Sequence, residues 1–569
     1  MADNGPSYRQ PTKAKARRLA LRRAARLLTA RRDKAALVPA NHVKRVRRAL
    51  LRSDTPGYAA AARLCQRDDV RSWERFRARS VGAREPRDLT VAYLAGPEPT
   101  NDLDVLVELG VRPENIWAFE AEKGFFARGL TALQKRELRG VKFIPVSIGE
   151  YFAGTPRRFD IIYLDACGAL PSREQRTGQV LANLFRYSAL APLGVLVTNF
   201  ARPDTSDATK LDPYVDYIAN YLFPKSFLDS VQGGTGDSAG ACGFSMMRED
   251  DAGPYFPDEV RERFDLYYGA FITRHIIDLA SLVAPMMRLA NPRLYPILFA
   301  EDAKAAAARS VRYLHFADGA FEDGWVSGDP LYGSPDDEAD PDDVPEMDGE
   351  AVMEPSEYSL LWTLAGCGLL KSGADFEARP EARRSHFESW IQQWGGTPSP
   401  QGGVPTLMAA YYALRHDTAF WSEAMKRVAE YPYREEMPTF CDAPNRELGF
   451  FPAFAQLAYP AHCNIRASRR YRYTAEERST PMYLDVLAFD ECRYVYDWLS
   501  AAHLVPEDWD DVSAQLTFRF ALDGIAKDGR WYGDDYLTGC HVVGIDGRFP
   551  ASELKARSEI RFKSRQSRG

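Results

Sequence analysis

Between residues 89 and 200 the chain repeats one pattern: a short apolar run, a turn, then an amphipathic stretch. The runs are LTVAYLA (89–95), IWAFE (116–120), VKFIPV (141–146), FDIIYLD (159–165) and GVLVTNF (194–200). Apolar on both faces, they suit strands of a parallel sheet covered by helices on each side. Between the first two runs, Leu103, Leu106 and Val107 form the i, i+3, i+4 stripe of a packed helix. Thr100 or Asn101 can cap its start, Asp102 and Asp104 suit its first turn, and Gly110 can end it. The fold class is therefore α/β. Beyond the fifth run, residues 226–231 and 242–247 read as an antiparallel pair at the sheet edge.

In open parallel sheets ligands bind beyond the carboxyl ends of the strands, where the strand order reverses. Those ends here read AGPEP, FEAE, PVSIGEYF, LDACGAL and TNFARPD. The first is unlike a phosphate cradle. Gly96 stands alone, Pro97 and Pro99 have no N–H to offer, and Glu98 and Asp102 repel an anion. A ligand without phosphate and with positive charge fits better, and S-adenosylmethionine has that character. Glu120 can accept hydrogen bonds from its ribose hydroxyls, Glu98 can meet its ammonium, and Asp165 stands over its reactive end.

The order of elements over roughly residues 85–250 resembles the class I S-adenosylmethionine-dependent methyltransferases. LAGPEP, FEAE, SIGEYF and LDACGAL carry the resemblance. It implies a Rossmann-like, seven-stranded core whose last two strands are 226–231 and 242–247. It also implies that Gly96 and Glu98 line the methionine end, Glu120 holds the ribose and Ser147 lies beside the adenine. DACG, from Asp165 to Gly168, loosely resembles the stretch with which tRNA guanine-amine methyltransferases hold an exocyclic amine. Asp165 is then the candidate catalytic residue, accepting a hydrogen bond from the acceptor amine. A Cys167 thiolate attacking cytosine is a sharper alternative, but a small buried thiol is the commoner role for such a cysteine.

Charge is divided unevenly along the 569 residues. Residues 1–52 hold sixteen Lys/Arg against Asp3 and Asp33, while the whole chain sums to −6. This Ala-, Leu- and Arg-rich segment reads as one or two helices and as a partner for nucleic acid, DNA or RNA, through phosphate neutralisation. A solubilising tail, a contact with the protein's own acidic segment and an anionic membrane surface are the alternatives. A second block, Ser334 to Glu350, has nine acidic residues among seventeen and no basic one, which predicts a disordered linker. The predicted organisation is a basic helical arm (1–55), the methyltransferase-like domain (56–254), a helical extension (255–330), the acidic linker (331–355) and a separate C-terminal α+β domain (356–569).

Within that last region NIRASRRYRYTAEERSTPMYLDVLAFD reads as a hairpin. On an extended first arm Arg466, Ser468, Arg470 and Arg472 share one face, and Arg469, Tyr471 and Tyr473 take the other. Arg466, Arg470, Arg472, Tyr471 and Tyr473 are thus candidate substrate contacts, arginine for backbone and tyrosine for base stacking. A soluble edge strand would carry the same residues. His275 sits by an apolar stripe and reads as a core histidine, and the spacing of Cys441, His462 and Cys463 matches no zinc site. Eight scattered cysteines without a CxxC pair fit a reduced, cytoplasmic compartment, and neither a secretory signal nor a membrane span is expected. The functional expectation is methylation of a nucleic acid, at a base exocyclic amine. The alternative is a non-catalytic nucleic-acid-binding or assembly protein on a degenerate methyltransferase-like scaffold.

Overall fold

The structure, a computed structural model, describes residues 10–222, 252–289, 456–499, 511–528 and 557–561, apart from short gaps and four isolated positions. The expected strands 226–231 and 242–247, the acidic linker and most of residues 356–455 lie outside the described residues.

All five apolar runs are strands: β1 (Val91–Leu94), β2 (Ile116–Phe119), β3 (Lys142–Ile144), β4 (Phe159–Asp165) and β5 (Leu190–Ala201). They pair in parallel in the order β3-β2-β1-β4-β5, so the order reverses between β1 and β4. Helices α4 (Thr100–Glu108), α5 (Lys123–Lys135), α6 (Ile148–Gly154) and α7 (Thr177–Arg186) make the four crossovers. Preceding them are α1 (Pro11–Leu28), α2 (His42–Leu50) and α3 (Arg67–Val81). Farther along the chain come α8 (Ala208–Leu222), α9 (Phe264–Asp278) and α10 (Val512–Asp528). Helix α4 stops as its sequence suggests, with Gly110 in the left-handed region at φ +90°. This is a mixed α/β sheet with a Rossmann-like core.

Two expectations about organisation are corrected. The strand beside β5 is β8 (Pro481–Asp490), antiparallel to it and followed outward by β7 (Arg469–Thr474) and the two-residue β9 (Ser558–Glu559). A short β6 (His462–Cys463) also pairs β8, giving nine strands among the described residues. The hairpin assigned to a separate C-terminal domain is therefore part of the sheet. Its β8 is well made for that place: Tyr483, Leu484, Val486, Leu487, Ala488 and Phe489 are all buried, as a strand packed on both faces requires.

The basic helical segment, from residue 10 onward, is likewise packed on the sheet rather than set apart from it. Ala16, Ala20, Leu21, Ala24, Leu27 and Leu28 are buried in one core with Tyr93, Tyr163, Val197 and Val486 of the sheet. Helices α3 and α10 extend that layer, where Trp73 Nε1 donates to the carbonyl of Tyr494 and His42 Nε2 meets Asp523 Oδ2 at 2.9 Å. The opposite sheet face carries α6, α7 and α9, through Phe152 and Phe159, Phe185 and Phe489, and Tyr268 and Tyr483. His275 of α9 is buried there, stacked on Phe271 and edge-on to Tyr221. Burial pushes the imidazole down to about 3. No described helix is long and apolar enough to cross a membrane.

Candidate active site at the carboxyl ends of the strands

The turn after β1 begins at Gly96, with φ +60°, a conformation that glycine adopts without strain. A Cβ built there would meet no atom within 4 Å, so the turn borders open space rather than a packed wall. Pro97 and Pro99 follow, and α4 starts directly behind them. Glu98 faces its own helix: Asn101 Nδ2 donates to Glu98 Oε2 at 2.8 Å. Tyr93 Oη donates to the carbonyl of Pro99, fixing the turn to its strand.

Leu94 and Phe119 are register partners, so the ends of β1 and β2 lie side by side. Glu120 follows at the end of β2, half-buried, its Oε1 accepting the backbone N–H of Glu122 at 2.8 Å. Burial raises its carboxyl above the ordinary glutamate value against that hydrogen bond. Ser147, half-buried, is the N-cap residue of α6. Its side chain makes no capping bond. An adenosine-bearing cation fits this group of residues. Gly96 leaves room, Glu120 supplies a partly desolvated acceptor, and Pro97 and Pro99 withhold N–H groups that would favour phosphate.

Asp165 ends β4, and its carboxylate is engaged by the chain itself. Lys13 Nζ of α1 lies 3.0 Å from Asp165 Oδ2, with the two side chains only 11% and 7% exposed. Asn199 Nδ2, opposite on β5, donates to Asp165 Oδ1 at 2.8 Å and lies 2.8 Å from Tyr473 Oη of β7. Burial pushes the Asp165 carboxyl up, but Lys13, Arg17 and Asn199 together more than offset it, so it is held below the usual range. One turn along α1, Arg17 Nε pairs with Asp102 Oδ1 at 2.5 Å. Asp102 is fully buried, and desolvation reinforced by the nearby Asp165 charge raises it to about 6 despite Arg17.

Sequence reasoning missed Lys13, Arg17 and Asn199. A signal for the first two existed: they lie four apart on a helix whose apolar stripe is buried, so both must face inward.

The hairpin candidates separate by face, as strand alternation requires. Tyr473 turns inward to Asn199, and Tyr471 packs partly buried on the α1 side. Arg472 turns to the other face and pairs with Asp265 at 2.5 Å, where Arg202 Nε (2.6 Å) and Tyr483 Oη (3.1 Å) also converge. Arg472 and Tyr473, expected as substrate contacts, are thus both held by partners within the fold. Arg466 lies exposed before β7, and Arg470 is half-buried within it. Cys167 and Cys441 lie outside the described residues, while His462 Nε2 meets Tyr496 Oη at 2.8 Å.

No family model and no curated protein matches the chain. Among solved structures, PKMT2 from Rickettsia typhi in complex with AdoHcy is similar at 13% identity and TM-score 0.21, over 40% of this chain and 45% of that one. StiE O-MT residues 942-1257 is similar at 12% identity and TM-score 0.17, over 41% of this chain and 86% of that one. The chain thus spans less than half the length of the first. Likenesses this slight carry no argument; the strand order and the residues at the strand ends do.

Proposed function

We propose that this chain is an S-adenosylmethionine-dependent methyltransferase acting on an amine. The observation that carries the reading is the turn after β1. A positive-φ glycine bordering open space stands beside the half-buried Glu120 carboxylate, next to the reversal of strand order and without phosphate-binding groups. In this reading Gly96 and Glu98 line the methionine end, Glu120 holds the ribose and Ser147 borders the adenine. When bound, S-adenosylmethionine supplies an electrophilic methyl group on a positively charged sulfur. Asp165 accepts an N–H of the acceptor amine and aims its lone pair; proximity and orientation supply most of what a methyl transfer needs.

For the acceptor we propose a nucleic acid, at a base exocyclic amine. The outer face of α1 supports this, because Lys15, Arg18, Arg22 and Arg26 form an exposed basic stripe at helical spacing. One specific observation favours the second reading, a non-catalytic scaffold: the candidate catalytic carboxylate is already engaged by Lys13 and Asn199.

A calorimetric titration with S-adenosylmethionine and S-adenosylhomocysteine, beside Glu120→Ala, separates the two. Micromolar binding that weakens at least tenfold in the variant supports the enzyme. Absence of heat from folded protein, with and without added nucleic acid, overturns the enzyme in favour of the scaffold.

A further inference from the structure

Lys13 reaches Asp165 from outside the α/β core, across helix α1, and meets a carboxylate that already has an amide partner. The arrangement has the parts of an ammonium receptor: Asp165 supplies charge and an acceptor, Asn199 fixes its second oxygen, and Tyr473 fixes Asn199. Both members of the ion pair are nearly excluded from water, so removing one of them leaves a buried charge that costs far more than breaking a surface pair. Lys13 also sits in the first turn of α1, where backbone N–H groups lack helical acceptors and ends fray most readily. The turn is held by Thr12, whose N–H donates to Glu476 Oε1 at 2.9 Å, whereas Leu21 and Leu28 anchor the later turns in the core.

We propose that the Asp165–Asn199 end of the sheet is a binding site for a primary amine in its ammonium form, and that Lys13 is its built-in occupant. Under the methyl-transfer reading a neutral acceptor amine, which keeps its lone pair, donates its N–H to the same Asp165 oxygen that Lys13 now engages, so it enters by displacing the first turn of α1. That consequence rests on the reading; the ammonium site itself does not.

Truncation of the occupant tests the site directly. Lys13→Ala removes the three methylenes and the ammonium that n-propylammonium would restore. Thermal unfolding of the full-length variant is followed in n-propylammonium chloride against equal sodium chloride, with Lys13→Ser as a second truncation. The expected result is a saturable rise in midpoint of about 2–4 °C, absent from wild type and from Lys13→Ala/Asp165→Asn. Tetramethylammonium, which has no N–H to donate, should give none. A folded truncation indifferent to propylammonium overturns the proposal, as do truncations that stay unfolded with the amine present; Lys13 is then simply a structural ion pair. The cofactor titration on wild type is independent, so failure of the ammonium site and failure of the methyltransferase reading remain distinguishable.

Discussion

At Asp165 and Asp102 two carboxylates lie close enough to influence one another, and burial pushes both up, yet their net shifts have opposite signs. Asp165 has Lys13, Arg17 and Asn199 and is held low; Asp102, more dependent on Arg17, rises to about 6. Removing one cation from such a pair leaves a buried charge uncompensated. Lys13→Met should therefore lower stability by about 3–5 kcal/mol in urea unfolding, and adding Asp165→Asn should recover most of the loss. Asp102 has a separate signature. Its folded value lies above the unfolded one, so its contribution is fully present below pH ~4 and is lost as pH rises through about 6. His275 runs the other way. Its folded value lies below the unfolded one, so its contribution is present above pH ~6.5 and is lost as pH falls toward about 3. Comparing wild type with His275→Phe between pH 7 and 4 isolates that loss: the variant should show a shallower decline of unfolding free energy on acidification. An unchanged slope would mean that the imidazole protonates without penalty.

Helix α1 shows how composition and pattern can point different ways. Sixteen basic residues in the first 52 suggest an arm for polyanions, but the alanines and leucines between them recur at helical spacing and are buried. The basic residues divide accordingly: Arg17 is inside, while Arg22 and Arg26 are outside. Deleting residues 1–29 should therefore unfold or aggregate the protein rather than merely weaken a nucleic-acid contact. Arg22→Glu/Arg26→Glu, on the exposed stripe, should leave the thermal midpoint within about 2 °C of wild type. If the stripe meets nucleic acid, the double variant should also weaken binding and flatten its salt dependence by about two contacts. Unaltered affinity with an intact fold would remove the stripe from the interface. Strand β4 was legible to the residue, because a run apolar on both faces has few other uses. The partner of β5 was not: pairing between distant segments leaves no local signal, and 226–231 was as good a strand by pattern as Pro481–Asp490.

Across the whole molecule, the late hairpin and the early helix close over the same sheet. Helix α1 touches β5, β7 and β8, and Arg23 donates to the carbonyl of Ala467 just before β7. A fragment ending at residue 330 would lack β8, and with it the antiparallel ladder along Leu193 to Ala201 of β5. Such a fragment should be digested rapidly in limited proteolysis under conditions where the full chain resists; equal resistance would show that β5 finds another cover. The candidate site shares this dependence, since Asp165 rests on Asn199, and Asn199 on Tyr473.

Leu193 to Ala201 face Asp490 to Met482 across the sheet. The ribosome therefore releases one strand long before it makes the other. At about 5–20 residues per second, the roughly 280 intervening residues take on the order of tens of seconds to synthesise. Throughout that interval the nascent chain carries a long apolar edge with open hydrogen-bonding groups, a natural client for a holding chaperone. Translation pauses placed between the two strands would lengthen the exposure, whereas a pause after residue 490 would let the sheet close before the rest of the chain emerges.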